Sequence, residues 1–183
     1  MSMKVIILHG TNNNPEDYWY RWLGKKLVTR GYTVEIPHYP AINLEPIDTF
    51  LPKVLAAHTF DNNTILIGHS AGAPLILSIL EKVEATLQQV ILVAGFARLR
   101  PEDDGHQDII IQDSYDWERI KAHAQVFVFI NSTDDPWGCN DIQGRFMYDK
   151  LGGTQVIRTD GHFGSTLFNQ PYKEFPLLER LVK

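Results

Sequence analysis

The sequence predicts an α/β fold, a mostly parallel sheet covered by helices on both faces, and three observations predict it. Short runs of β-branched and aliphatic residues alternate with longer segments of helical periodicity. The runs are continuously apolar rather than alternating, as in strands buried on both faces. The segments between them are long enough for right-handed helical crossovers. At 183 residues the chain suits a single domain over 1–183, able to bury a core without disulfides or metals.

Val5-Ile6-Ile7-Leu8 is the first such run and ends at His9-Gly10. A helix is predicted over Asp17 to Arg30, stopped by Gly31, a residue suited to a left-handed cap. Tyr32 to Pro37 reads as the second strand. Pro46 opens a second helix, with Ile47, Phe50, Leu51, Val54 and Leu55 at helical spacing. Asp61-Asn62-Asn63 is a turn leading into Thr64-Ile65-Leu66-Ile67, the third strand. From Ala71 to Glu84 a helical stripe is formed by Leu75, Ile76, Ile79, Leu80 and Val83. Val90 to Val93 and Val126 to Ile130 are the fourth and fifth strands. Phe146 to Leu151 ends another helix at Gly152-Gly153; Thr154 to Ile157 is a short sixth strand, and Phe175 to Val182 a terminal helix. Residues 96 to 114 are polar and without periodicity. A loop of that length is either an active-site lid or binding loop, or a plain surface excursion.

Composition narrows the function. The chain is 44% hydrophobic and 21% charged, ordinary values for a globular protein. With a net charge of -5 and no Lys/Arg run, it offers no electrostatic reason to bind nucleic acid or an anionic membrane. Cys139 is the only cysteine, so no internal disulfide forms. The first apolar run is too short for a signal-peptide core, and no stretch approaches the ~20 apolar residues of a membrane span. A cytoplasmic location is expected. There is no H-E-x-x-H, C-x-x-C, G-x-x-x-x-G-K-[ST] or G-x-G-x-x-G string, so no metal or organic cofactor is expected.

The chemistry concentrates at Gly68-His69-Ser70-Ala71-Gly72, a G-x-S-x-G string between a buried strand and an amphipathic helix. A sharp turn there brings strand and helix close, so the flanking side chains must be minimal, and it lifts the serine clear of the sheet. The N–H of Ala71, in the first helical turn, points where an oxyanion would form.

A serine hydroxyl is a weak nucleophile until a base takes its proton. Of seven histidines, His162 lies in Asp160-Gly161-His162-Phe163, after the last strand, and satisfies the chain order Ser, acid, His. His69 reads as packing sideways inside the elbow, and His9 as support for the first loop. His38, His58, His106 and His123 occupy helix or loop settings without a matching partner. The acid belongs after the fifth strand, where Asp134 and Asp135 stand side by side in Asn131-Ser132-Thr133-Asp134-Asp135-Pro136. Spacing does not choose between them; one is a loop-structuring acid.

These residues resemble the α/β-hydrolases, and among them the compact serine-hydrolase family that includes retinoblastoma-binding protein nine. The likeness spans nearly the whole chain. It rests on His9-Gly10 followed by Trp19 and Trp22, on the elbow, on Ser132-Thr133-Asp134-Asp135-Pro136 and on Gly161-His162-Phe163. The resemblance implies a three-layer sandwich of about six strands in the order 2-1-3-4-5-6, without a cap domain. It also implies Asp135, directly before proline, as the acid. The loop after the first strand would supply the second oxyanion donor, Thr11 or alternatively Asn12. In that strand order Thr11 and Ser70 end the two strands where winding reverses, the place where open α/β sheets bind ligands. Gly138-Cys139 departs from the family's hydrophobic-plus-proline pair. The pocket-binding string Leu-x-Cys-x-Glu is absent, so that protein partner is not carried over.

The expected function is hydrolysis of a carboxylic ester, thioester or amide through an acyl-enzyme, on a small-molecule or peptide substrate. Ser70, Asp135 and His162 would act with the amides of Thr11 and Ala71. An acyltransferase would use the same triad, and a protein-binding module would use only the fold. A full Ser–Asp–His set argues against the module. Trp19 and Trp22 read as helix-to-sheet packing, Trp137 as a candidate wall of the cleft, and Cys139 as a small buried hydrophobe.

Overall fold

The computed structural model describes residues 2–99 and 108–183. Strands form at the predicted runs: β1 (Lys4–Leu8), β2 (Thr33–Glu35), β3 (Thr64–His69), β4 (Gln89–Val93), β5 (Phe127–Ser132) and β6 (Thr154–Arg158). They build one six-stranded sheet in the order β2-β1-β3-β4-β5-β6, the order the resemblance implies, and every pairing is parallel. The inner strands β3, β4 and β5 are buried along their whole length, which is why their sequences do not alternate.

The helices are α1 (Tyr20–Thr29), α2 (Ile47–Ala57), α3 (Gly72–Leu80), α4 (Trp117–Ala122), α5 (Asp141–Leu151) and α6 (Pro176–Leu181). They divide into two groups, α1 touching α6, and α2, α3, α4 and α5 touching in series, so the sheet is covered on both sides. Every residue of α3 is buried, as expected for a helix that is apolar all round. Among the described residues no cap domain stands over the strand ends, and no helix is long and apolar enough to cross a membrane.

Some expectations need correction. Helix α1 starts at Tyr20, not Asp17. Asp17 Oδ2 instead accepts from the backbone N–H of Asn14 at 2.9 Å, and Tyr18 has φ of 47°, so this stretch is a turn. The second strand keeps only three of its expected residues, and α3 ends at Leu80 rather than Glu84. Helix α4 was not predicted. It is six residues long, half of them charged, buries only Ile120, and is started by the Asp116 side chain accepting from Arg119 N–H at 3.0 Å. In the 96–114 segment, Phe96, Ala97, Asp108 and Ile110 are buried, so both ends pack into the body. Residues 100–107, the centre of the expected lid or binding loop, lie outside the described residues.

Candidate active site

The placement of Ser70, the candidate nucleophile, follows from backbone contacts. Ser70 directly follows β3, and its N–H donates to the Val93 carbonyl at 2.9 Å, so the turn is pinned to the end of β4. Its φ is 53°, a left-handed conformation that a non-glycine residue holds only where the surroundings enforce it. A Cβ on Gly68 would fall 2.6 Å from the Gly72 carbonyl oxygen, and one on Gly72 would run into the Leu8 carbonyl. Both glycines are therefore required by close approach, as the motif predicts.

Hydrogen bonding distinguishes the two aspartates. Asp135 Oδ2 accepts from His162 Nδ1 at 2.8 Å, and the Asp135 side chain is fully buried. Its Oδ1 accepts from the Trp137 N–H at 2.8 Å. Asp134 is exposed, and its Oδ1 accepts from the Gly161 N–H at 3.0 Å, the loop-structuring role. With Nδ1 donating to a carboxylate, a neutral His162 carries its lone pair on Nε2. Neither Ser70 Oγ nor His162 Nε2 makes a hydrogen bond among the described residues.

Elbow and base loop meet through His69. Its Nε2 lies 2.7 Å from the His162 carbonyl oxygen, and the two imidazoles are 5.0 Å apart. On the other side of Ser70 runs the loop after β1, where a Cβ on Gly10 would sit 3.0 Å from Ser70 Cβ and 3.5 Å from Oγ. The backbone N–H groups of Thr11 and Ala71 make no hydrogen bond among the described residues. Thr11 Oγ1 accepts from Asn43 Nδ2 at 3.2 Å, and Asn43 also donates to Asp108 at 2.9 Å. Asn12 has φ of 58°, a turn-former's conformation.

A serine hydrolase family pattern matches residues 5–181. The chain belongs to the serine hydrolase family. It is 33% identical to YdeN of Bacillus subtilis (strain 168) over 138 residues, covering 74% of this chain and 72% of YdeN. The crystal structure of the B. subtilis ydeN gene product superposes with a TM-score of 0.87 at 27% identity, covering 98% of this chain and 96% of that one. The serine hydrolase RBBP9 of Rattus norvegicus is 28% identical over 163 residues, 83% of this chain and 81% of its own. A hydrolase of the α/β superfamily from Xanthomonas campestris shares the fold, with a TM-score of 0.67 at 16% identity over 99% of this chain and 100% of that one.

In this serine hydrolase the remaining histidines sort by their partners. His9 supports its loop as expected, Nδ1 lying 2.8 Å from the Gly10 carbonyl and Nε2 accepting from Tyr39 N–H at 2.9 Å. His58 does have a carboxylate, contrary to expectation: Glu35 at 2.6 Å, with the Tyr39 hydroxyl at 2.7 Å on Nε2. That pair joins the end of β2 to the end of α2, a contact 23 residues apart in sequence. His123 bonds the carbonyl of Arg119 at 2.8 Å, and His106 lies outside the described residues.

Sequence reasoning missed several supporting side chains. Trp19 is buried as expected, but its Nε1 also donates to the Phe163 carbonyl at 3.0 Å, next to His162. Tyr18 Oη accepts from Thr166 N–H at 3.0 Å, and Tyr20 Oη lies 2.5 Å from His69 Nδ1. The only sequence trace was the aromatic run Tyr18-Trp19-Tyr20. Trp137 stands 6.3 Å from the His162 ring, packs edge-on against Phe168 at 5.2 Å and donates to Ser165 Oγ at 3.2 Å. Cys139 is buried, and Asp135, Cys139 and His162 bring one ligand atom each within 4.8 Å of one another. A cation entering there would have to displace the Asp135–His162 hydrogen bond.

Proposed function

We propose that this serine hydrolase cleaves a carboxylic ester, thioester or amide through an acyl-enzyme on Ser70. His162 Nε2 takes the hydroxyl proton as Oγ bonds to the substrate's carbonyl carbon. The resulting oxyanion is held by the N–H groups of Ala71 and Thr11. Collapse of that intermediate breaks the bond to the leaving group, which departs with the proton from His162. Water then repeats the sequence on the acyl-enzyme and releases the acid. Asp135 holds the Nδ1–H tautomer and stabilises the imidazolium as it forms.

One observation carries this reading: the buried 2.8 Å contact between His162 Nδ1 and Asp135 Oδ2, in a loop hydrogen-bonded to the residue preceding Ser70. The half-buried ring of Trp137 beside His162, with exposed Phe168 edge-on against Trp137, supports an apolar group on the leaving side of a small-molecule or peptide acyl substrate.

The test is labelling with a fluorophosphonate probe. The wild type should label, and Ser70→Ala should not label at all. His162→Ala should label at least about 1000-fold more slowly. Robust labelling of Ser70→Ala, or none of a folded wild type, overturns the proposal.

A further inference from the structure

We propose that His69 is a positioning residue, a neutral strut that fixes the loop bearing His162 to the nucleophile elbow, with Tyr20 setting its tautomer. The inference rests on the Ser70–His162 reading above and adds two residues to it.

The argument begins at the His162 carbonyl. A carbonyl oxygen only accepts hydrogen bonds, and His69 Nε2 lies 2.7 Å from it, so the His69 proton sits on Nε2. A neutral imidazole with a proton on Nε2 must accept at Nδ1. Tyr20 Oη, 2.5 Å away, is therefore the donor there. The same hydroxyl also lies 3.3 Å from Asn13 Oδ1, but its single proton goes to the shorter contact. The directions are thus settled along the whole line, from Tyr20 to His69 to the backbone of His162.

The surroundings keep this arrangement neutral. His69 is wholly buried, with the rings of Tyr18 and Trp19 edge-on to it and Tyr20 tilted against it. Its ionisable neighbours are His162 and His9, whose positive charge would oppose its own, and no carboxylate is hydrogen-bonded to it. Burial drives its pKa down to about 3 and raises that of Tyr20 well above the ordinary phenol, so neither group changes charge near neutrality. A neutral His69 also spares the imidazolium of His162, 5.0 Å away, from facing a second cation during turnover.

Position explains the location of this strut. His69 is the last residue of β3 and Ser70 is next in the chain. Tyr20 opens α1, and its hydroxyl reaches Asn13 in the loop after β1. The line therefore ties the elbow carrying the nucleophile and the loop carrying the base to the start of α1.

Two measurements test it. In long-range ¹H–¹⁵N spectra of wild-type imidazoles, His69 should remain the neutral Nε2–H tautomer from pH 5 to pH 9. An Nδ1–H tautomer, or an imidazolium at pH 6, overturns the proposal, and this readout does not depend on activity. The second compares fluorophosphonate labelling of His69→Gln, whose amide nitrogen occupies the Nε2 position, with His69→Leu, which has no donor. His69→Leu should label about 100-fold more slowly, and His69→Gln within about tenfold of wild type. Equal rates for His69→Leu and wild type, or equal slowing of both variants with cooperative melting retained, overturn it. If Ser70 of the wild type does not label while the tautomer is as stated, the hydrolase reading fails and the strut geometry stands.

Discussion

Adjacent residues Asp134 and Asp135 have the same side chain and opposite fates. Asp135 is buried against His162, whereas Asp134 faces solvent and holds the Gly161 amide. Asp135→Asn should lower kcat by about 10⁴-fold, because an amide in that place favours the wrong imidazole tautomer. Asp134→Ala should cost about 1 kcal/mol of stability and less than about tenfold in kcat, since water replaces an exposed acceptor. Ester hydrolysis with urea unfolding of both variants checks this. His69 carries a second residue-scale prediction. Its folded pKa of about 3 lies below the ordinary 6.5, so the unfolded chain takes up a proton there that the folded chain refuses. The stability it contributes is complete above pH 6.5 and is lost as pH falls toward 3. Between pH 7 and pH 5 the wild type should lose about 2 kcal/mol more than His69→Gln in urea unfolding.

At the scale of elements, the decisive contact is between β1 and the start of α3. Gly72 lies so close to the Leu8 carbonyl that a methyl group has no room, and Gly68 meets Gly72 in the same way. Gly72→Ala should destabilise the protein by about 1–3 kcal/mol or more in denaturant unfolding. It should also slow Ser70 labelling, because Leu8 leads directly into the Gly10 loop that packs against Ser70. Strands and long helices were legible because an inner strand needs a continuous apolar run, and α2 and α3 need helical stripes. Helix α4 was not, since six residues with one buried isoleucine are too short to carry a periodic signal. The start of α1 was misplaced because Asp17 spends its carboxylate on the Asn14 amide and Tyr18 holds a positive φ, a local turn that the helical pattern does not record.

At the scale of the whole molecule, the loop bearing His162 is held by residues from the far end of the chain. Tyr18 and Trp19 grip Thr166 and Phe163, contacts that span 148 and 144 residues of sequence. Trp19→Phe keeps the ring packing and removes only the bond to the Phe163 carbonyl. Amide hydrogen exchange should rise across residues 161–168 while β3 and β4 stay protected, with a global loss of about 1 kcal/mol. Uniform acceleration across the sheet would mean that Trp19 acts through general stability instead. Trp137 and Phe168 complete this side of the site. Trp137→Ala should raise KM for esters of apolar alcohols by about tenfold or more and leave methyl esters nearly unchanged, as loss of one buried apolar contact predicts.

What the sequence determined by itself is whatever local pattern encodes. Buried parallel strands are continuously apolar, a nucleophile elbow needs small residues on either side of its serine, and the chain order of Ser, acid and His survives in one dimension. Those rules reached the fold and singled out Ser70, the Asp134-Asp135 pair and His162 as candidates. Only the tertiary structure decided which aspartate faces His162, that His58 meets Glu35, and that Tyr20 and His69 line up on the backbone of His162. Hydrogen bonds across 27, 23 and 49 residues depend on where folding brings the strand ends, and no local spacing records that.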